Sequence, residues 1–222
     1  VRINKDRVYH ILAGGMPNFS RQFITSIALI LLNVVAAKYG DGVIAALTIS
    51  SRILALAYMI MIGWGQGFQP ICAMNYGAKQ YDRVKKAFKF AVTGGTLFLI
   101  IAAILLYVFS EPLIRTMSND NEVILAGTEI LRMQCITMPL LGYFAISSML
   151  MQNIGQYFWA SIISISRQGI FYIPLLYTLS NIFGQFGIYL LQPVADVLSF
   201  GLAVILVRKI KFANDKCKKD GI

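Results

Sequence analysis

Charged residues in this chain fall in clumps, and long stretches without charge run between the clumps. Met133–Ser166 holds no charge over 34 residues, and Gln168–Val207 holds only Asp196 in 40. Ile53–Ala78 is clean for 26 residues and Phe90–Ser110 for 21. A helix needs about 20 apolar residues to cross a hydrocarbon core of about 30 Å. The two longest stretches are therefore each long enough for more than one crossing. Turn-like segments divide them at Asn153-Ile154-Gly155-Gln156 and at Asn181-Ile182-Phe183-Gly184-Gln185. The pattern predicts an all-α fold, a polytopic transmembrane bundle of six helices over residues 14–37, 47–70, 90–110, 130–152, 158–181 and 186–207.

Composition agrees with that pattern: of 222 residues 57% are hydrophobic and 14% charged, with a mean hydropathy of +0.66. A soluble domain is about one quarter charged. The formal net charge is +10, and the placement of the basic residues says what it means. With six spans both termini share one side of the membrane. That side carries Arg2, Lys5 and Arg7, then Lys79, Arg83, Lys85, Lys86 and Lys89, then Arg208, Lys209, Lys211, Lys216, Lys218 and Lys219, 14 in all. The opposite loops carry 2, Lys38 and Arg115. Basic residues concentrate on the cytoplasmic side, so both termini are expected in the cytoplasm. The basic excess reads as topology and contact with the lipid bilayer. A nucleic-acid partner would call for a contiguous basic face with interleaved aromatics, and these are short juxtamembrane clusters. The loop Lys79–Lys89 is expected to be an amphipathic cytoplasmic connector near anionic headgroups.

Little else suggests soluble chemistry. Cys72, Cys135 and Cys217 form no disulfide pattern, and His10 has no partner at ligand spacing, so no metal site is expected. There is no His-Glu-x-x-His, no Gly-x-Ser-x-Gly and no pair of intramembrane acids, which argues against an enzyme. The chain opens on Val1 with a polar, basic stretch that reads as the end of a loop, as in a fragment of something longer.

The spans carry more than an anchor needs. Pro17, Pro139, Pro174 and Pro193 fall in or near them, and proline frees a backbone carbonyl and bends a helix. Gly63-Trp64-Gly65-Gln66-Gly67-Phe68-Gln69-Pro70 holds three glycines and a proline, which predicts an unwound or kinked segment. Small and polar residues are frequent, and both helix packing and a polar internal pathway explain them. Two charges lie near mid-depth. Asp196 is about 15 Å into the last span and Arg167 about 14 Å into the fifth, at 1.5 Å per residue. A charge there costs at least about 2.5–3.5 kcal/mol, and similar depth lets the two pair. Such a pair either locks two helices or forms part of an ion, proton or substrate route. Arg21 and Arg52 are placed to snorkel or to line a cavity.

The residues after span two carry a resemblance. Gly65-Gln66-Gly67-Phe68-Gln69-Pro70, followed by Asn75-Tyr76-Gly77-Ala78-Lys79, Tyr81-Asp82 and Arg83-Val84, closely resembles a hallmark stretch of the multidrug and toxic compound extrusion (MATE) family. Gly15-Met16-Pro17, Tyr39-Gly40-Asp41, Ser51-Arg52, Ser166-Arg167-Gln168-Gly169, Ile173-Pro174 and Gln192-Pro193-Val194-Ala195-Asp196 agree in order and spacing. The resemblance runs from about residue 14 to 207. It implies one six-helix lobe of a two-lobe transporter, the second, with 1–13 as the end of the inter-lobe linker and 208–222 as a basic cytoplasmic tail. It further implies a plasma-membrane antiporter that exports cationic or amphipathic organic compounds in exchange for Na⁺ or H⁺, with no other cofactor. The partners it implies are a missing N-terminal six-helix lobe and small organic cations. Gly65, Gly67, Pro70, Asn75, Gly77 and Arg83 would be structural residues of the motif. One branch of that family carries a glutamate in the first span of this lobe and an aspartate in the fourth. Here span one has no acid, and span four has Glu129 outside its outer mouth, which leaves Asp196 as the buried acid. Candidate pathway-lining residues are Gln22, Thr25, Gln66, Gln69 and Gln168, with Phe19, Phe23, Tyr143 and Tyr172 as aromatic surfaces for flat cations. A flippase for lipid-linked saccharides would share the architecture, and a non-transporting scaffold would share it without needing mid-depth charges.

Overall fold

Lipid offers no hydrogen bonds to a bare backbone, so a chain this apolar must satisfy its peptide groups internally. In the computed structural model it does so with helices throughout. The backbone is described for residues 5–219, and side chains for Leu12 and residues 14–209. The elements are α1 (Lys5–Ala36), a 3₁₀ turn (Ala37–Tyr39), α2 (Asp41–Gly77), α3 (Tyr81–Val108), α4 (Ser110–Arg115), α5 (Asn121–Thr137), α6 (Leu140–Asn153), α7 (Tyr157–Ile165), a π-helical turn (Ser166–Ile170), α8 (Tyr172–Phe183) and α9 (Gln185–Lys219). Five stretches are long and apolar enough to cross a bilayer: Gly14–Tyr39, Asp41–Gly77, Tyr81–Val108, Tyr157–Phe183 and Gln185–Lys209. The pair α5 and α6, bent by 57° at its break, meets the same test of length and apolarity when taken together.

The helices reach beyond several of the expected spans. Those that hold spans two and three begin at Asp41 and Tyr81, ahead of the expected 47 and 90. The helix that opens span four begins at Asn121, ahead of the expected 130, and the span is broken between Thr137 and Leu140, at the proline expected to bend it. Pro139 has no N–H to donate, so the ladder fails there, and α6 swings against α3. Gly142 makes that approach possible: a Cβ on it would stand 2.9 Å from the backbone nitrogen of Thr96. The expected unwinding at Gly63–Pro70 does not occur, because α2 is continuous through Pro70. Breaking the helix in hydrocarbon would strand several peptide groups, whereas proline removes one bond. Gly65 serves packing instead, since a Cβ there would meet the Met149 sulfur at 2.5 Å. Lys85, Lys86 and Lys89 lie in the first turns of α3, so the basic connector is a helix end rather than a separate loop. Residues Lys5–Ala13 continue α1 and residues 208–219 continue α9, while the side chains of His10 and Cys217 lie outside the described residues.

Buried apolar side chains form two clusters stacked along the helix axes. One gathers Ala28–Ala36 of α1, Val43–Leu47 of α2, Val123–Ile130 of α5, and residues of α8 and α9 up to Ala195. The other takes α2 from Ile53 to Cys72, Ile124, Leu131 and Cys135 of α5, Ile114 of α4, Ala160 and Ile163 of α7, much of α3 and α6, and α9 from Ala203. The Tyr39 hydroxyl, 3.2 Å from the Ser180 carbonyl, ties the α1–α2 corner to the α8–α9 corner. Gly40 and Gly184 turn those two corners at φ of 102° and 59°, a region open to glycine. Many large apolar side chains remain outside, among them Leu56, Met59, Phe90 and Ile182, as a lipid-facing surface requires.

Candidate functional site

Between the two apolar clusters lies a polar layer, and Asp196 stands in it. Its carboxylate is held from three elements. Arg167 Nε donates to Oδ1 at 2.6 Å, Gln192 Nε2 donates to the same oxygen at 2.9 Å, and Thr137 Oγ1 lies 3.3 Å from Oδ2. Asp196 is almost fully buried, and Arg167 has 17% of its side chain exposed against 2% for Asp196. The guanidinium lies 5.4 Å from the Tyr58 ring centroid, inside the reach of a cation–π contact. The local backbone explains the aim. The π turn adds a residue to the helical repeat, as π-bulges do at functional sites, and it carries Arg167. Gly169 within it sits against Ile24 of α1, where a Cβ would stand 2.7 Å from a methyl carbon.

The pair borders a cavity of about 290 Å³ lined by Thr25, Ser51, Tyr58, Gln134, Gln168 and Gln192 among others. A second cavity of about 190 Å³ shares Tyr58 and is lined by Asn18, Arg21, Gln66, Gln69, Ser148, Gln152 and Ser164. Gln152 reaches across it to donate to the Gly14 carbonyl at 2.6 Å. Ser148 and Ser164 share a hydrogen bond of 2.8 Å. Neither cavity has an acid in its lining apart from Asp196.

The expected residues thus divide. Asp196 and Arg167 meet; Thr25 and Gln168 line the central cavity, and Gln66 and Gln69 the second. Phe19 and Phe23 stack on each other at 6.2 Å on the exposed face of α1, beside exposed Gln22, and line neither cavity. Tyr143 packs edge-on between Phe88 and Phe200, partly buried against the core, and lines neither cavity. Tyr172 is buried in the cluster of α1 and α8. Of the motif residues, Asn75 bonds back to the Ile71 carbonyl at 2.8 Å, Gly77 ends α2 and Arg83 is exposed on α3. Arg21 lines the second cavity and Arg52 is exposed. Arg132 donates to Ser110 Oγ at 2.9 Å and covers the Tyr107 ring. Tyr58, Thr137, Gln134 and Gln192 were not among the expected site residues. Gln192 was legible as the residue four before Asp196, one turn away on the same face. Thr137 and Gln134 are spaced i, i+3 in an uncharged stretch.

Six crossings with a buried ion pair and polar cavities at mid-depth define a multi-pass membrane protein with an interior polar site. The MatE family model matches residues 17–178, and the chain belongs to that family of plasma-membrane proteins. The multidrug export protein MepA of Staphylococcus saprophyticus is 26% identical over 207 residues, 93% of this chain and 46% of that protein. MepA of Staphylococcus aureus (strain MW2) is 25% identical over 204 residues, 92% of this chain and 45% of that protein. Among solved structures, an outward-facing multidrug resistance MATE family transporter of the MOP superfamily superposes with a TM-score of 0.89 at 18% identity, covering 97% of this chain and 49% of that one. The Vibrio cholerae MATE transporter VcmN in the bent form gives 0.84 at 22%, covering 93% and 48%. The chain therefore spans about half the length of the relatives it matches.

Proposed function

We propose that this chain is one lobe of a multidrug efflux antiporter that exports cationic or amphipathic organic compounds in exchange for Na⁺ or H⁺. Its partner would be a second six-helix lobe, with substrate passing between the two by alternating access and both ends of the lobe in the cytoplasm. The observation that carries the reading is the Asp196–Arg167 pair, buried at the waist of the bundle and bordering a polar cavity. The multidrug export relatives and the 14-to-2 split of basic residues support it.

A ligand shifts two conformations only by its differential affinity for them. A proton or Na⁺ at Asp196 weakens the hold on Arg167 and leaves a buried cation seeking water. Truncating one partner of such a pair costs about 3–5 kcal/mol, enough to bias a two-state bundle by more than a hundredfold. The tighter packing is then favoured with the pair intact, and a more hydrated arrangement with it loaded.

The test is gradient-driven ethidium efflux from liposomes holding the full-length protein. Asp196→Asn is expected to abolish transport under imposed Na⁺ or pH gradients while membrane insertion is unchanged. Full activity in Asp196→Asn would reduce the pair to a structural tie, and no gradient-driven flux in the unmodified protein would overturn antiport itself.

A further inference from the structure

A separate feature lies on the lipid-facing side of α2 and α3, away from the ion pair. A cavity of about 180 Å³ is lined by Trp64, Gly67, Phe68, Ile71, Ala87 and Phe90, with Ala91 behind. Its lining runs from Trp64 to Ile71, about 10 Å along α2, and is almost wholly apolar. It opens to the outside, since Trp64 is 44% exposed, Ile71 52% and Phe90 70%. The site is built. Trp64 Nε1 donates to the Ala91 carbonyl at 3.0 Å, its ring stands 5.8 Å from that of Phe90, and the indole fills the space above Gly94. At Gly67 an added Cβ would meet nothing within 4 Å, so the missing side chain leaves the floor open.

One turn toward the α2–α3 corner the chemistry changes sign. Arg83 stands one helical turn before Ala87 and Lys86 one turn before Phe90, on the same flank of α3. Lys79 lies in the turn itself, and all three are exposed. Asp82 is the single acid among residues 79–89. The geometry points to a binding site for an anionic phospholipid, with an acyl chain along Trp64, Gly67 and Ile71 and the phosphate held by Arg83, Lys86 and Lys79. Acyl chains alone do not distinguish one lipid from another. The cations give the preference, about fivefold per basic residue near a headgroup. This site rests on the membrane reading and is independent of transport.

Trp64 is itself the reporter. The intact protein, with Trp159 and any tryptophan outside this chain replaced by Phe so that Trp64 alone reports, is reconstituted in bilayers of mixed brominated lipids, which quench indole fluorescence on contact. Brominated phosphatidylglycerol is expected to compete about a hundredfold better for Trp64 than brominated phosphatidylcholine, at about fivefold for each of the three cations. Arg83→Ala with Lys86→Ala is expected to cut that ratio to about fivefold and the addition of Lys79→Ala to bring it close to one, while Arg83→Lys with Lys86→Arg keeps it. Gly67→Leu, which fills open space, is expected to cut quenching by both lipids at unchanged helix content. Equal quenching by the two lipids overturns the proposal, as does a preference that survives neutralising all three cations. Displacement by soluble glycerol phosphate alone would assign the cations to a free anion and also overturn it.

Discussion

Removing one member of the Asp196–Arg167 pair should cost far more than removing both. In Arg167→Met the Asp196 carboxylate keeps Gln192 and Thr137 but loses its counter-charge at a position nearly closed to solvent. Breaking a buried pair in this way costs about 3–5 kcal/mol. Asp196→Leu strands the other partner, but more mildly. The guanidinium keeps the Tyr58 face and its access to the polar cavity, so a loss near the lower end, about 3 kcal/mol, is expected. In the double variant no charge is buried alone. Apolar replacement of a whole buried pair is close to neutral or stabilising by about 1–4 kcal/mol, offset here by the idle polar groups of Gln192 and Thr137. The double-mutant cycle should therefore show a coupling of at least about 2 kcal/mol. The assay is the equilibrium unfolding of the purified protein in mixed micelles of mild detergent and dodecyl sulfate, followed by helix content. Additivity within about 0.5 kcal/mol would refute the reasoning, because it would mean that each charge is solvated on its own. Arg167→Met milder than Asp196→Leu would refute the asymmetry drawn from exposure.

Two further outcomes follow from particular contacts. Gly142→Val pushes a side chain into the Thr96 backbone, where even a Cβ stands 2.9 Å from the amide nitrogen, and should destabilise by about 1–3 kcal/mol in the same unfolding assay. Gly63→Ala, whose Cβ meets nothing within 4 Å, should be neutral or gain up to about 1 kcal/mol, and equal losses at the two sites would contradict the packing described. For orientation, single cysteines at Lys38 and Lys79, in a background without native cysteines, should differ in intact cells. The first should react with an impermeant maleimide and the second only after permeabilisation; the reverse pattern would invert the topology.

Much of the site was legible as depth and little of it as contact. Counting residues from the span ends puts Asp196 and Arg167 at one level, and at that level they meet. The same counting is blind to direction around the helix, and gives no hint that Tyr143 packs between Phe88 and Phe200. It also missed Tyr58, which faces both cavities. Proline misled at one site and informed at another. Pro70 sits in an unbroken helix, while Pro139 ends one. The local cost of a proline is similar at each, and what differs is whether a neighbour supports the bend, as Thr96 against Gly142 does.

The sequence by itself determined that the chain crosses a bilayer about six times and which end of the bundle holds the basic residues. Those properties are sums along the chain: a run of apolar residues pays its desolvation wherever its faces point, and clusters of lysine mark a side without reference to neighbours. Only the tertiary structure decided that α5 and α6 bend by 57° into one crossing and that a π turn delivers Arg167 to Asp196. It also decided that Thr137 and Tyr58 join Gln192 around the pair. Each of these depends on which face of one helix meets which face of another. That choice is made by close packing at a few small residues such as Gly65, Gly142 and Gly169, and hydropathy carries no record of it.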